Sequence, residues 1–255
     1  MQRLWLRWAA LLLFVAVLGT VFVNLGEWQL RRLEQRKEHN ATQVTNEQRP
    51  VADAATVFTR PIGDADQWQR VQARGTFDPD HQFVIRYRNN GDARGYEVVT
   101  PLRTARGWLL VDRGFVAVER GVEIPTTAPP PPSGEVTVVG HLRRSEQGRR
   151  GAVQPVAGQV RLINAAALQT ALPYPVPDGY LGLLTVQPPQ TGNLAPVLPP
   201  ELSSGPHFWY AVQWFMFTGL AVLGIVVFIR GDLRARREAA GSSPLVAVEE
   251  RRYSV

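Results

Sequence analysis

The sequence contains no cysteine, and this absence excludes several kinds of chemistry at once. Disulfide bonds, cysteine–zinc sites, haem attached through thioethers, thiol redox reactions and cysteine nucleophiles all require the thiol. Methionine is scarce as well, since only Met1 and Met216 occur. Soft copper(I) prefers thiolate or thioether ligands, so the composition disfavours a role in copper delivery.

Motifs typical of enzymes are also lacking. There is no Gly-x-Ser-x-Gly nucleophile elbow and no glycine-rich phosphate loop. The four histidines are not spaced as close metal ligands; they are His39, His81, His141 and His207. The formal net charge is +6, but no basic stripe interleaved with aromatic residues predicts a nucleic-acid partner. We therefore expect no catalytic residues, no structural metal and no nucleic-acid binding.

What the chain does contain is an uncharged apolar run from Phe208 to Ile229. It is long enough to cross a bilayer, which takes about 20 residues. Its first two turns are rich in aromatic residues, as at a membrane interface, and arginines follow its other end. These are Arg230, Arg234, Arg236 and Arg237. The pattern predicts a transmembrane helix over residues 208–229.

A second apolar segment lies over residues 4–25. A cleaved secretory signal is the competing interpretation, and it would need a small-residue cleavage site after the apolar core. Bulky residues such as Leu25, Trp28 and Leu30 occupy that region instead. The pattern favours an uncleaved transmembrane helix.

The arginines also predict the orientation. Arg3 and Arg7 precede the first span and four arginines follow the second, which favours a cytoplasmic side for both termini. Residues 27–206 are then expected outside the cytoplasm. The protein is expected to be a multi-pass protein of the cell membrane, with the lipid bilayer as one of its partners. Residues 238–255 are expected to form a disordered cytoplasmic tail.

The central region predicts an α+β fold: a two-helix transmembrane hairpin flanking an extracytoplasmic, mostly antiparallel β-rich domain. Residues 27–46 continue the first helix as a polar extension until Arg49-Pro50 ends it. About seven strands with turn signals follow, including a hairpin turn at Asn89-Asn90-Gly91. A proline-rich return over residues 188–206 leads back to the membrane.

Two charged residues interrupt the most apolar strand, residues 107–116. Asp112 and Arg113 precede Gly114 there, and a β-bulge or an internal salt bridge explains them better than catalysis does. The arginines of residues 27–46 likewise allow two interpretations: a solvated helix with ion pairs, or a group that holds an anion near the membrane.

The chemistry that remains is that of His207, at the start of the second span beside Trp209, Tyr210 and Trp214. A neutral imidazole there could ligate a haem iron, with arginines near Trp28 pairing the propionates. A plain interfacial histidine explains the same pattern, and Gln213 fits either a site or simple helix pairing.

Three segments together resemble the Surfeit locus protein 1 family of cytochrome c oxidase assembly factors. Residues 25–32 are similar to the run that closes the family's first span, and residues 107–116 to its central strand. Residues 207–215 are similar to the opening of its second span. Phe115 and Phe208 stand where the family usually has Trp and Leu.

The resemblance implies a membrane-anchored factor that binds or presents haem a to the nascent catalytic subunit of cytochrome c oxidase, without turnover. His207 matches the position of a haem ligand and thus of a metal contact. The other implied cofactor-binding residues are Tyr210, Gln213, Trp214, Trp28, Gln29 and Arg32. The alternative is a scaffold that stabilises oxidase assembly intermediates without touching haem; an exported hydrolase on a two-span anchor comes last.

Overall fold

The computed structural model describes residues 2–119, 121–200 and 202–241. The chain divides into two compact units. The helical unit combines residues up to 38 with those from 203 onward, and the barrel unit consists of residues 39–202. Each unit is described by itself below.

The helical unit contains most of α1 (Gln2–Gln48) and all of α5 (His207–Gly241). Both helices are long and apolar enough to cross a membrane. They pair in antiparallel fashion, with Trp8 Nε1 donating to Asp232 Oδ2 at 3.0 Å near one end. Further along, the Phe22 ring contacts the Trp214 and Phe217 rings at centroid distances of 5.5 and 5.9 Å.

The helices extend beyond the spans expected from hydropathy. α1 is one continuous helix over the predicted first span and its polar extension, and it ends just before Arg49-Pro50, where proline removes a backbone donor. α5 continues past Ile229, so residues 238–241 are helical rather than part of a disordered tail. The rest of that predicted tail, residues 242–255, lies outside the described residues.

The barrel unit is built on one sheet in the order β1-β2-β6-β8-β5-β4-β3-β7, and β2 also pairs with β4. That extra pairing closes five of the strands into a barrel, with β3 and β7 continuing the sheet from β4. The strands are β1 (Ala52–Asp53), β2 (Arg70–Phe77), β3 (Phe83–Asn90), β4 (Ala93–Thr104), β5 (Gly107–Ala117), β6 (Glu135–Arg143), β7 (Gln159–Val160) and β8 (Tyr180–Gln187).

Closure depends on a glycine where β2 meets β4. Gly75 pairs with Thr104 of β4 and with Val136 of β6, so one residue joins two neighbours. A β-carbon at Gly75 would lie 2.1 Å from the carbonyl oxygen of Arg103, and this distance is too short for any side chain. Glycine thus permits the close backbone approach that closes the barrel.

Three short helices complete the barrel unit: α2 (Ala54–Val57), α3 (Arg150–Val153) and α4 (Ala165–Leu168). Asp53 caps α2 and Asn164 caps α4, each through a side-chain oxygen that accepts a backbone N–H. Tight turns link the long strands, as at Gly91, where a φ of +61° suits the β3–β4 hairpin.

The core of the barrel unit is apolar and follows the strand alternation. One buried cluster includes Val71, Leu102, Val138 and Leu181, from four strands of the closed barrel. A second packs α4 against the sheet through Ile163 and Leu168. The predicted α+β class with a mostly antiparallel sheet is therefore confirmed, since only the β1–β2, β3–β7 and β5–β8 pairs are parallel.

Candidate functional site

The structure brings together two of the predicted site residues, His207 and Gln29, across the helix pair. His207 is the first residue of α5, and Gln29 lies on α1 just beyond the apolar segment. His207 Nδ1 is 2.8 Å from Gln29 Oε1. The residues are distant in sequence, so the antiparallel pairing of the helices is what places them side by side.

This hydrogen bond selects the tautomer of the imidazole. An amide oxygen can only accept, so Nδ1 of His207 carries the proton and donates it to Gln29. In the neutral imidazole the lone pair is then on Nε2, which is the arrangement that a metal-ligating histidine requires. Gly205, with a φ of +68°, lies beside that edge of the ring, and a β-carbon there would come within 3.4 Å of Nε2.

Trp28 and Arg32 form a separate pair one turn apart on α1. The Arg32 guanidinium carbon lies 5.7 Å from the centroid of the Trp28 ring, and the Trp28 side chain is 46% exposed. Arg32 also donates to Gln35 Oε1 at 3.4 Å. These contacts fit the interpretation of residues 27–46 as a solvated helix, while they leave the exposed side of the guanidinium accessible to an anion.

The other predicted site residues of α5 lie in different environments. Trp214 is half-buried and packs against Phe22 within the helix pair. Tyr210 and Gln213 are exposed, and within the described ranges neither side chain forms a hydrogen bond with His207 or Gln29. Next to His207 the helix surface is aromatic, with Phe208 at 50% and Trp209 at 71% exposure.

Asp112 and Arg113 have a structural explanation in the barrel unit. The β4–β5 register shifts between the pairs Glu97–Phe115 and Val99–Asp112, which is the predicted bulge. The alternative salt bridge is not formed: in the parts of the chain that the structure describes, neither residue has an ion-pair partner. Arg113 instead donates to the carbonyl oxygens of Pro129 and Pro130 at 2.8 and 3.0 Å.

One cluster of polar side chains is not predicted by the sequence pattern. Glu97, Asp112, Arg143 and Tyr180 come from four different strands and line one cavity of the barrel unit. The sequence signals it only through a charged residue at a buried strand position, Asp112, which the β-bulge also explains. Pattern alone does not reveal that the four side chains meet.

The architecture defines the class of protein. Two helices that could each span a membrane precede and follow one β-barrel unit in the sequence, and the second helix begins with a histidine whose Nδ1 is hydrogen-bonded to Gln29. The sequence profile of the SURF1 family matches residues 16–219, which is most of the chain. The chain therefore belongs to the SURF1 family, and the resemblance seen in its three segments is confirmed. This family is generally linked to oxidase assembly and is not a known class of enzyme.

Bacterial relatives match over nearly the whole chain. Uncharacterized SURF1-like proteins of Mycobacterium bovis and Mycobacterium tuberculosis are each 33% identical over 245 residues, covering 93% of this chain and 89% of theirs. A SURF1-like protein of Rickettsia felis is 26% identical over 227 residues, covering 85% of this chain and 94% of its own.

Proposed function

We propose that this SURF1-family protein binds haem a and presents it to the nascent catalytic subunit of cytochrome c oxidase, with His207 as the iron ligand. The single observation that carries the proposal is the hydrogen bond between His207 Nδ1 and Gln29 Oε1 at 2.8 Å. In the neutral imidazole this bond leaves the lone pair on Nε2, and it orients the ring, as a hydrogen-bond partner does for a metal-bound histidine.

The surroundings of His207 suit a flat apolar cargo with acidic groups. Phe208, Trp209 and Tyr210 offer exposed aromatic surface on α5. On α1, Trp28 offers another ring and Arg32 a guanidinium that could pair a propionate. Each contributes binding or orientation, whereas the iron and its redox chemistry belong to the cargo. No proton transfer or bond cleavage by the protein is required.

The proposal includes a location. Each of the two apolar helices would cross the cell membrane, with Arg3 and Arg7 on the cytoplasmic side together with the arginines after Ile229. The barrel unit would then lie outside the cytoplasm, and so would His207.

A scaffold that never touches haem is the second candidate, and one observation favours it. The barrel unit has an apolar cleft of about 730 Å³, whose lining includes Ala54, Phe58, Trp108, Leu109 and Val176. A cleft of this size could hold a segment of a partner subunit. Under this hypothesis His207 serves only helix pairing.

Haem content separates the two candidates. Full-length protein is purified in detergent from a host that makes haem a, together with the variants His207→Ala, Gln29→Leu and His39→Ala. We expect haem in the wild type, none in His207→Ala, and a loss of about 10- to 100-fold in affinity for Gln29→Leu, since the tautomer is no longer fixed. His39 is an exposed histidine on α1, so His39→Ala should retain haem.

Equal haem in wild type and His207→Ala would overturn haem binding at this site. Co-purification of an oxidase subunit with both proteins would then favour the scaffold. Absence of any effect of a deletion on oxidase assembly would contradict both candidates.

A further inference from the structure

The barrel unit has a polar cavity of about 260 Å³ that shares no residue with the His207 site. Its polar wall comes from Glu97 on β4, Asp112 on β5, Arg143 on β6 and Tyr180 on β8. The proline-rich segment that follows β8 supplies an apolar side through Val197, Leu198 and Pro200. Ligand pockets for drug-sized molecules measure roughly 300–1,000 Å³, so this one suits a smaller ligand.

Two of its carboxylates share one guanidinium. Arg88 Nε lies 2.8 Å from Glu97 Oε2, and Arg88 Nη2 lies 2.7 Å from Glu146 Oε2. Burial raises the pKa of Glu97, against the opposing effect of the Arg88 charge. Glu97 and Glu146 are thus both paired with the Arg88 guanidinium.

Arg143 has no such partner. Its guanidinium carbon lies 4.0 Å from the centroid of the Trp68 ring, and its Nε is buried without a hydrogen bond. Among the described residues, the Arg143 side chain forms no hydrogen bond and no ion pair within 4.0 Å, although its charge opposes the upward pKa shifts of Glu97 and Asp112. An arginine held against an aromatic ring keeps N–H groups available for a carboxylate or phosphate.

Further donors surround it. The Tyr180 side chain is only 4% exposed, and within the described ranges its hydroxyl has no hydrogen-bond partner. His141 is 7% exposed and its Nε2 has no hydrogen bond; the Glu47 carboxylate is 3.5 Å away. Burial first, and then the nearby Glu97 charge, raises the pKa of Asp112 well above its usual range. This shift favours the protonated form of the carboxyl over the charged form.

We propose that this cavity binds a small oxyanion, a carboxylate or a phosphate, held by Arg143 with Tyr180 as a further donor. The ligand supplies the acceptor oxygens that these two side chains lack in the protein. A charge-assisted hydrogen bond contributes about 1.5–3 kcal/mol, which corresponds to about 10- to 100-fold in affinity.

The test is calorimetric titration of the detergent-purified full-length protein with sodium acetate, sodium succinate and inorganic phosphate, at constant ionic strength maintained with sodium chloride. We expect saturable binding of at least one of them, and comparison of the three distinguishes a carboxylate site from a phosphate site. Arg143→Gln should weaken binding by about 10- to 100-fold, and Tyr180→Phe by less because it removes a neutral donor.

Two matched variants should bind as the wild type does. Arg144→Gln removes a neighbouring arginine that pairs with Asp64 outside the cavity, and His207→Ala changes only the other unit. Tryptophan-fluorescence melts of every variant verify folding, and Tyr180→Phe, which removes a single hydroxyl, tests the site should Arg143→Gln fail to fold. Failure of all three anions to bind, or unchanged binding in both Tyr180→Phe and Arg143→Gln, would overturn the proposal.

Discussion

Three consecutive residues of β5, residues 112–114, have different structural roles. Asp112 faces the polar cavity, and Arg113, only 1% exposed, donates to the backbone carbonyls of Pro129 and Pro130. Gly114 has a φ of +133°, and a β-carbon there would lie 2.6 Å from the carbonyl oxygen of Ala195. The bulge turns adjacent side chains in different directions. Three successive residues therefore contact the cavity, the chain at Pro129 and Pro130, and the chain at Ala195.

The buried carboxyl of Asp112 should make stability depend on pH. Because burial raises its pKa in the folded state, the folded protein holds this proton more tightly than the unfolded chain. The resulting stability is fully present below the unfolded pKa of about 3.9 and is lost as pH rises through the folded value. Asn does not titrate, so Asp112→Asn should gain in apparent melting temperature relative to the wild type as pH is raised from about 5 to 9.

Thermal melts of the full-length protein in detergent measure this difference. Asp92→Asn is the control, since Asp92 is exposed in the β3–β4 turn and its change should leave the pH profile parallel to that of the wild type. A constant difference between Asp112→Asn and the wild type over the whole pH range would mean that Asp112 does not hold its proton.

At the scale of elements, the pairing of α1 with α5 depends on a small residue. Gly26 is buried against Phe215, and a β-carbon there would lie 2.7 Å from the ring. Close approach at small residues is a common basis for helix association in membranes. The same pairing places Gln29 against His207 one turn later, so the packing and the candidate haem ligand are linked.

We therefore expect Gly26→Val to destabilise the helix pair by about 1–3 kcal/mol, the usual cost of overpacking. It should also reduce haem retention, because the His207–Gln29 hydrogen bond depends on the pairing. Gly219→Val is the matched control, since nothing lies within 4 Å of a β-carbon at that position. Melting in detergent and haem content measure both effects; equal behaviour of the two variants would contradict this account of the helix pair.

The elements also differ in how far sequence could predict them. The long strands and both long helices were predictable because alternation and apolar length are local signals. The two-residue strands β1 and β7 have no such signal. The β2–β4 closure depends on a backbone approach at Gly75 that no pattern encodes, and the cavity depends on closure because it gathers side chains from separate strands.

The residues of the candidate site could be predicted from the sequence, but their arrangement could not. His207 is singled out by its position at the start of the second span, and Gln29, Trp28 and Arg32 follow from the family resemblance. Only the antiparallel pairing of the helices reveals that His207 and Gln29 share a hydrogen bond. Trp214 has an aromatic side chain of the expected kind, yet it packs on Phe22, because residues on one helix turn face different directions.

At the scale of the whole molecule, the proposed function requires a particular orientation in the membrane. Haem a delivery at His207 needs the start of α5 at the outer surface, and the arginines at the chain ends favour that arrangement. The absence of cysteine makes this directly testable, since any introduced cysteine is the only thiol in the chain.

We predict that Thr126→Cys, in an exposed loop of the barrel unit, reacts with a membrane-impermeant maleimide added to intact cells. Ala235→Cys, exposed on α5 beyond Ile229, should react only after the cells are lysed, because the proposed orientation puts the bilayer between the two positions. The cysteine-free wild type gives the background. Labelling of Ala235→Cys but not Thr126→Cys in intact cells would reverse the orientation and remove His207 from the side on which we propose that haem a is presented.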